Sequence, residues 1–452
     1  MIDGTAEEFF SMTISLPKRT ACLLLLVVAI TAATATSHAQ SLASATAAVA
    51  SAGPNASPGD RPWWRSAQLN GVASSPSAPT EWGPDSNIAW KVDVPGRGHA
   101  TPCVVGDQIF ISTAVEGAEE MRLLSFDRAT GAEGWNTLLH SGGFMHIHSK
   151  NSHASATPAC AGGRVFALHM VDGDASIDGG GEGVYLSAVG LDGEILWQKK
   201  AGPFTTKHGY APSPILYGST VIVSGDSENA GAFVAAFDQA TGEEVWRTGR
   251  RDNASFGCGV VATIAGREQL VIPGCDETVS YDPTSGEMLW RVDGPSLSAA
   301  NTVAFDSQKV YSSGGWPQKN LLAIRADGSG DVTDSHIAWR KTKAVCYVPT
   351  MLVQGQRLYT VSDDGVATCY DTESGDTVWV KRLGGGFSAS PIMVGDSIYL
   401  TDESGKTHVI KAADEFKPVA VNDLADGGFA TPVVLDGKIF LRTSHQLYCI
   451  AE

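Results

Sequence analysis

Short apolar runs alternate with polar turns along most of the chain, and one pattern keeps returning. In YDPTSGEMLW, residues 281–290, an apolar strand ends in an aromatic, Asp282 opens a turn, Gly286 closes it, and an alternating strand ends at Trp290. Related copies read FDRATGAEGW (126–135), GLDGEILW (190–197), FDQATGEEVW (237–246) and YDTESGDTVW (370–379). A partial copy ends at Trp339, and a lone strand lies around Trp90. The Asp carboxylate can accept backbone N–H groups in the turn, and the Gly supplies the positive φ that a short bulged hairpin needs. Alternation on both sides of the turn predicts paired strands. Successive Trp residues lie 40 to 62 residues apart. One four-stranded propeller blade needs about 40–50 residues, so most intervals hold one blade and the longest also holds an insertion.

The starts of the predicted blades recur as well. Thr101-Pro102, Thr157-Pro158, Ser213-Pro214, Pro349-Thr350, Ser390-Pro391 and Thr431-Pro432 each precede an apolar strand, and two further starts fall at 258–262 and 299–303. The last unit, from Thr431 onward, is one strand short, and the strand NIAWKVDV (87–94) has no unit before it. The expectation is an all-β fold: an eight-bladed β-propeller of four-stranded antiparallel blades, closed by the N-terminal strand completing the last blade. The repeated Trp135, Trp197, Trp246, Trp290, Trp339 and Trp379 then read as structural. Each ring should lie across a neighbouring blade with its N–H on a backbone carbonyl.

The first 61 residues break the pattern. Lys18 and Arg19 precede an apolar run over 21–33, and Ser37-His38-Ala39 puts small residues at the two cleavage-defining positions. Residues 1–39 read as a signal peptide cut before Gln40, with an uncleaved anchor as the alternative. Residues 40–61, rich in Ala, Ser, Gly and Pro, read as a flexible linker, and the propeller as 62–452. This implies a periplasmic or secreted protein with no transmembrane domain after cleavage. A net charge of −17, with 18% charged residues, argues against nucleic acid as a partner. Seven cysteines follow residue 39. Cys258 and Cys275 flank a predicted hairpin and read either as a disulfide or as buried thiols.

The repeated Asp-x-x-Thr-Gly-x-x-x-Trp pattern resembles the pyrroloquinoline-quinone-type (PQQ-type) propeller repeat. Quinoprotein alcohol dehydrogenases and the outer-membrane assembly lipoprotein BamB share it. The resemblance spans about residues 62–452, and PGRGHATP near the start with LGGGFSASPIMVGDSIYLTDESG near the end is similar to secreted BamB-like propellers. It implies either a non-catalytic ring that presents a binding face to a protein or small ligand, or a dehydrogenase using pyrroloquinoline quinone and calcium. The adjacent disulfide-bonded cysteines of the dehydrogenases are absent here, and no P-loop, HExxH or GxSxG motif occurs. The reading is therefore non-catalytic.

Links from one blade's outermost strand to the next blade's innermost strand lie on one face, beside the channel. Three successive links carry Arg97 and His99, then His148 and His153, then Lys207 and His208. Later links carry Phe256, Tyr347, Phe387 and Phe429. A cationic sector and an apolar sector around one funnel mouth are expected, as a site for an anionic or aromatic ligand or a peptide. His99, His153 and His208 are also candidates to converge on a metal. Two acidic stretches, DGDASIDGGGEG (172–183) and DGSGDVTD (327–334), read as solvated loops, the first with weak calcium-loop spacing at Asp172, Asp174 and Ser176.

Overall fold

In the computed structural model, the structure describes residues 60–452 except 67, 174–176, 178–179 and 230. The expected signal peptide at 1–39 and residues 40–59 of the expected linker lie outside the described residues. The described chain folds into eight antiparallel sheets, seven of four strands and one extended by a fifth. Blade 1 runs from Cys103–Val105 innermost through Gln108–Val115 and Glu120–Asp127 to Glu133–Ser141 outermost. Blades 2 to 8 begin at Ala159–Ala161, Ile215–Tyr217, Val260–Ile264, Ala304–Phe305, Leu352–Gln354, Ile392–Val394 and Val433–Leu435. The strand Ile88–Asp93 pairs with Gln446–Ile450 and becomes the outer strand of blade 8. Circular closure is thus as expected from the orphan strand and the incomplete last unit.

The repeat works through its turn. Asp127 Oδ1 accepts the N–H groups of Ala129 and Thr130 at 3.1 and 2.8 Å and the Thr130 hydroxyl at 2.6 Å. Those hydrogen bonds favour the carboxylate and pull its pKa down. Asp238, Asp282 and Asp371 hold the same turn. The turn glycine then serves twice. Gly131, Gly193, Gly242, Gly286 and Gly375 all have φ between 72° and 90°. A Cβ built on each would meet the indole of the preceding blade at 2.4–2.9 Å. The turn therefore needs glycine for its backbone, and the Trp needs glycine for its seat. Trp135, Trp197, Trp339 and Trp379 donate their N–H to Leu191, Gln239, Thr372 and Ala413 carbonyls of the next blade.

Trp246 of blade 3 covers Gly286 but its N–H finds no acceptor among the described residues, and blade 4 departs further from this plan. Trp290 is fully buried and donates instead to Gln269 Oε1 at 2.6 Å. The reason is the stretch at 327–334, expected as a solvated loop. Gly330 and Asp331 add a short parallel strand beside Trp290 and Arg291, locked by an Arg291–Asp331 ion pair of 2.6 Å. Cys258 and Cys275 are free and buried. The register pairs Val260 with Val271 and Gly274 with Glu277, which puts Cys275 in the next turn rather than opposite Cys258.

Around the channel the Thr-Pro and Ser-Pro starts form a ring of hydrogen bonds. The N–H of Thr101 donates to Thr157 Oγ1, Thr157 to Ser213, Thr302 to Thr350, Thr350 to Ser390 and Ser390 to Thr431, all at 2.9–3.1 Å. Five of the eight junctions between inner strands are fixed in this way at the crowded centre.

One end of the channel is closed by residues 60–83. Arg61 pairs with Val104 of blade 1, Pro62 accepts the Cys160 N–H of blade 2, and Arg65 donates to the Met351 carbonyl before blade 6. Val72 lies parallel to Met393 of blade 7. Asn422 clamps the exit through the Trp82 N–H and the Thr80 carbonyl, both at 2.9 Å. Trp63 and Leu69 join the apolar core of the ring. This plug touches turns between first and second strands, such as Gly106 and Gly437. The links between blades, which carry the candidate residues, lie at the other end.

Candidate functional site

The open end of the channel holds a cavity of about 680 Å³. Below it a narrower neck of about 120 Å³ runs down to Trp64 of the plug. Two kinds of segment build the mouth. The links between blades contribute His148, Lys150, His208, Phe256, Leu297 and Tyr347. The turns between second and third strands contribute Glu228, Trp316, Asp363 and Glu403.

The structure brings some of the six candidate residues together. His148 and His208 line the mouth with ring centroids 5.5 Å apart, and His208 meets the edge of Phe256 at 5.6 Å. His99 lies deeper, in the neck, stacked on Phe429 at 4.4 Å. Burial, with Arg97 and Arg442 nearby, lowers its pKa to about 3, so it is neutral at physiological pH. The other three face elsewhere. Arg97 pairs with Ala114 through its backbone and donates to the Ser149 carbonyl at 2.7 Å. His153 stacks on Phe144 at 4.1 Å with Nε2 2.9 Å from the Met145 carbonyl. Lys207 is exposed and meets Glu228 through its backbone N–H at 3.4 Å. His99, His153 and His208 therefore do not converge, and among the described residues no group of three His, Cys, Asp or Glu gathers as a metal site. Asp174 and Ser176 of the weak calcium spacing lie outside the described residues.

The charge of the mouth differs from the cationic sector expected. Its lining holds three carboxylates, Glu228, Asp363 and Glu403, and one ammonium, Lys150. Lys150 is held by Glu403 at 3.0 Å, and Glu403 also accepts the Ser388 hydroxyl at 2.7 Å. Asp363 accepts the N–H groups of Tyr347 and Val348 at 2.8 and 3.1 Å, and burial raises its pKa despite them. These carboxylates come from turns that the repeat does not mark. A signal was present all the same: SGDSEN, SDDG and DESG place acids just after the second strand of blades 3, 6 and 7.

The apolar side is more exposed than a folded surface needs. Trp316 is 64% exposed and Leu297 41% exposed. They stand on neighbouring segments and face the same cavity, with Phe256 and Tyr347 beside them. Tyr347 reaches Ser298 at 3.2 Å through its hydroxyl, so this wall is held in place before any ligand arrives. Phe387, also expected here, is buried among the strands of blades 6 and 7.

The mouth can hold a compact apolar group against an aromatic wall and a donor or cation against its carboxylates. The model of the family described as outer membrane protein assembly factor BamB matches residues 85–234, 230–344 and 338–417. A search of curated proteins gives no match. Among solved structures the chain is similar to BamB from Moraxella catarrhalis, at 11% identity over 80% of this chain and 96% of that one, with a TM-score of 0.52. It is also similar to quinohemoprotein alcohol dehydrogenase from Comamonas testosteroni, at 11% identity over 87% and 81%, with a TM-score of 0.57. A europium-containing methanol dehydrogenase matches at 13% identity over 85% and 89%, with a TM-score of 0.55. At such identities these structures share the fold.

Proposed function

Because the chain belongs to the family of the outer membrane protein assembly factor BamB, we propose that it is a non-catalytic propeller of the cell envelope, periplasmic or secreted, that holds a polypeptide segment in its channel mouth. The observation that carries this reading is the pair Trp316 and Leu297, exposed over a 680 Å³ cavity that three carboxylates also line. Large apolar side chains gathered in water mark binding surfaces, and aromatic anchors dominate binding energy. Arg97, His148, His153, Lys207 and His208 then form the outer rim or its support, and His99 the neck.

A quinoprotein role has less in its favour. Pyrroloquinoline quinone carries three carboxylates and works with a bound metal cation, so its site needs free cations and a carboxylate cluster. The one lysine of the mouth is already paired, the three carboxylates are separately engaged, and the seven described cysteines are all free thiols. These residues do not fit that cofactor. Photo-crosslinking from position 316 in living cells tests the proposal. A discrete polypeptide adduct, absent when the probe sits at Asp396 on the opposite face, is expected. Adducts that do not depend on position would overturn it, and saturable binding of a small molecule alone would replace the polypeptide with that ligand.

A further inference from the structure

The plugged end of the channel carries a second, separate feature. Arg65 is 4% exposed and lies in the plug. Its Nη2 donates to the Asn70 and Met351 carbonyls at 3.0 and 2.6 Å. Its Nε and Nη1 are buried with no hydrogen-bond partner among the described residues. No carboxylate pairs with it there. The contrast with Arg250 is direct: that guanidinium, equally buried, is gripped by both oxygens of Asp226 at 2.6 and 3.2 Å. Arg442, equally buried, also lacks a carboxylate, but its guanidinium donates to the Ser112 carbonyl and the Thr113 hydroxyl through both terminal nitrogens. At Arg65 one terminal nitrogen has neither a carboxylate nor a neutral acceptor among the described residues.

Two more orphan groups lie beside it. The Trp63 indole N–H and the Thr101 hydroxyl are both buried and both without a partner among the described residues. Arg65, Trp63 and Thr101 line the same cavity of about 20 Å³. That volume suits one water-sized occupant, since a cavity needs about 10–15 Å³ to hold a water. Arg61 lines it too, and its own guanidinium is taken up by the Asp60 carbonyl and the Ser74 hydroxyl. Asp60, in turn, accepts the Gly106 N–H at 2.9 Å.

The inventory decides the chemistry. Guanidinium and indole only donate, and a hydroxyl can donate. A water in this place would still have to give away two protons. An anion accepts from all three groups and also neutralises the buried charge. We propose that Arg65, Trp63 and Thr101 bind one halide-sized monovalent anion, chloride in its ordinary surroundings, which fastens the plug to the start of blade 1. Burial lowers the pKa of Arg65 to about 9 in the absence of such an anion, which agrees with an uncompensated charge.

The test uses the whole protein. Crystals grown or soaked in bromide should show an anomalous peak between Arg65 and Thr101. In solution, melting should rise by several degrees in chloride or bromide relative to gluconate at equal ionic strength, and the rise should saturate with concentration. Arg65→Met should abolish that anion dependence, and Thr101→Val, which keeps the shape and removes one donor, should shift the saturation to higher concentration. If Arg65→Met fails to fold, the bromide peak and the Thr101→Val titration still decide. No peak together with equal melting in chloride and gluconate would overturn the proposal. A general salt response shared by gluconate would do the same.

Discussion

At its floor the channel is shut by a segment running from Asp60 to Gly83, which crosses from blade 1 to blade 8 with Trp63 and Leu69 sunk into the ring. At its mouth, 680 Å³ stands open, lined by an aromatic wall and by three carboxylates. The same β-propeller supplies both ends, yet a Trp is treated in opposite ways. Trp63 is 5% exposed at the floor, while Trp316 is 64% exposed at the mouth. Burying apolar area stabilises by roughly 25 cal/mol per Å², so Trp63 serves the fold and Trp316 does not. The difference leaves uncovered apolar surface at the mouth alone of the two ends, which is where the binding site is proposed.

The sharpest way to break this comparison is to truncate both rings. Trp63→Ala should cost about 3–5 kcal/mol, the range for emptying a large buried site. It should also lower the denaturant midpoint strongly. Trp316→Ala should change stability by no more than about 0.5 kcal/mol, as an exposed substitution does. If the two variants melted alike, the division between structural floor and functional mouth would fail.

Most of the ring was legible because its chemistry is local. An Asp that caps its own turn, a Gly at positive φ and a Trp that covers the next blade's Gly all fall within a dozen residues of one another. Circular closure followed from the orphan strand at Trp90 and the short last unit. Of the plug, only the packing of Trp63-Trp64-Arg65 and Trp82 across one face was legible, not the closing of the channel by this segment. Its partners lie hundreds of residues away, as in Arg65 to Met351 and Trp82 to Asn422, and its Pro- and Ser-rich text has no period. The site was half legible for a related reason. Links between blades could be placed from the repeat, which found His148, His208, Phe256 and Tyr347. Counting cations along those links overlooked Glu228, Asp363, Glu403 and Trp316, which the intervening turns bring in from other blades. Arg97, His153 and Lys207 sit on the right links but turn to neighbouring backbone and solvent.

A smaller effect tests the neck that joins the two ends. His99 has a native pKa of about 3, against about 6.5 for an unfolded chain. The unfolded state therefore binds the extra proton below pH 6.5. The contribution to stability is complete above that value and is lost as pH falls from 6.5 towards 3, by at most about 1.4 kcal/mol per pH unit. His99→Phe, which can keep the stack on Phe429, should flatten the melting profile between pH 6.5 and 5. A variant as acid-sensitive as the parent would move the neutral group elsewhere.

The smallest change sharpens the mouth most. Glu403 is the carboxylate that holds Lys150, and both lie at the open rim, with Lys150 61% exposed and Glu403 20%. An ion pair this wet contributes about 0–1 kcal/mol and fades with salt. Glu403→Gln keeps an acceptor for the Ser388 hydroxyl and removes only the charge. Stability should move by less than about 1 kcal/mol. Binding should respond differently, because the substitution leaves Glu228 and Asp363 against an unheld Lys150. A basic segment docked on the acidic side should lose affinity and some of its salt dependence, whereas an acidic one should gain. Titration of the two classes of peptide at low and moderate ionic strength reads that sign directly. If both responded equally, the carboxylates would serve only to pin the links after blades 1, 2, 5 and 6, and recognition would rest on Trp316 and Leu297 alone.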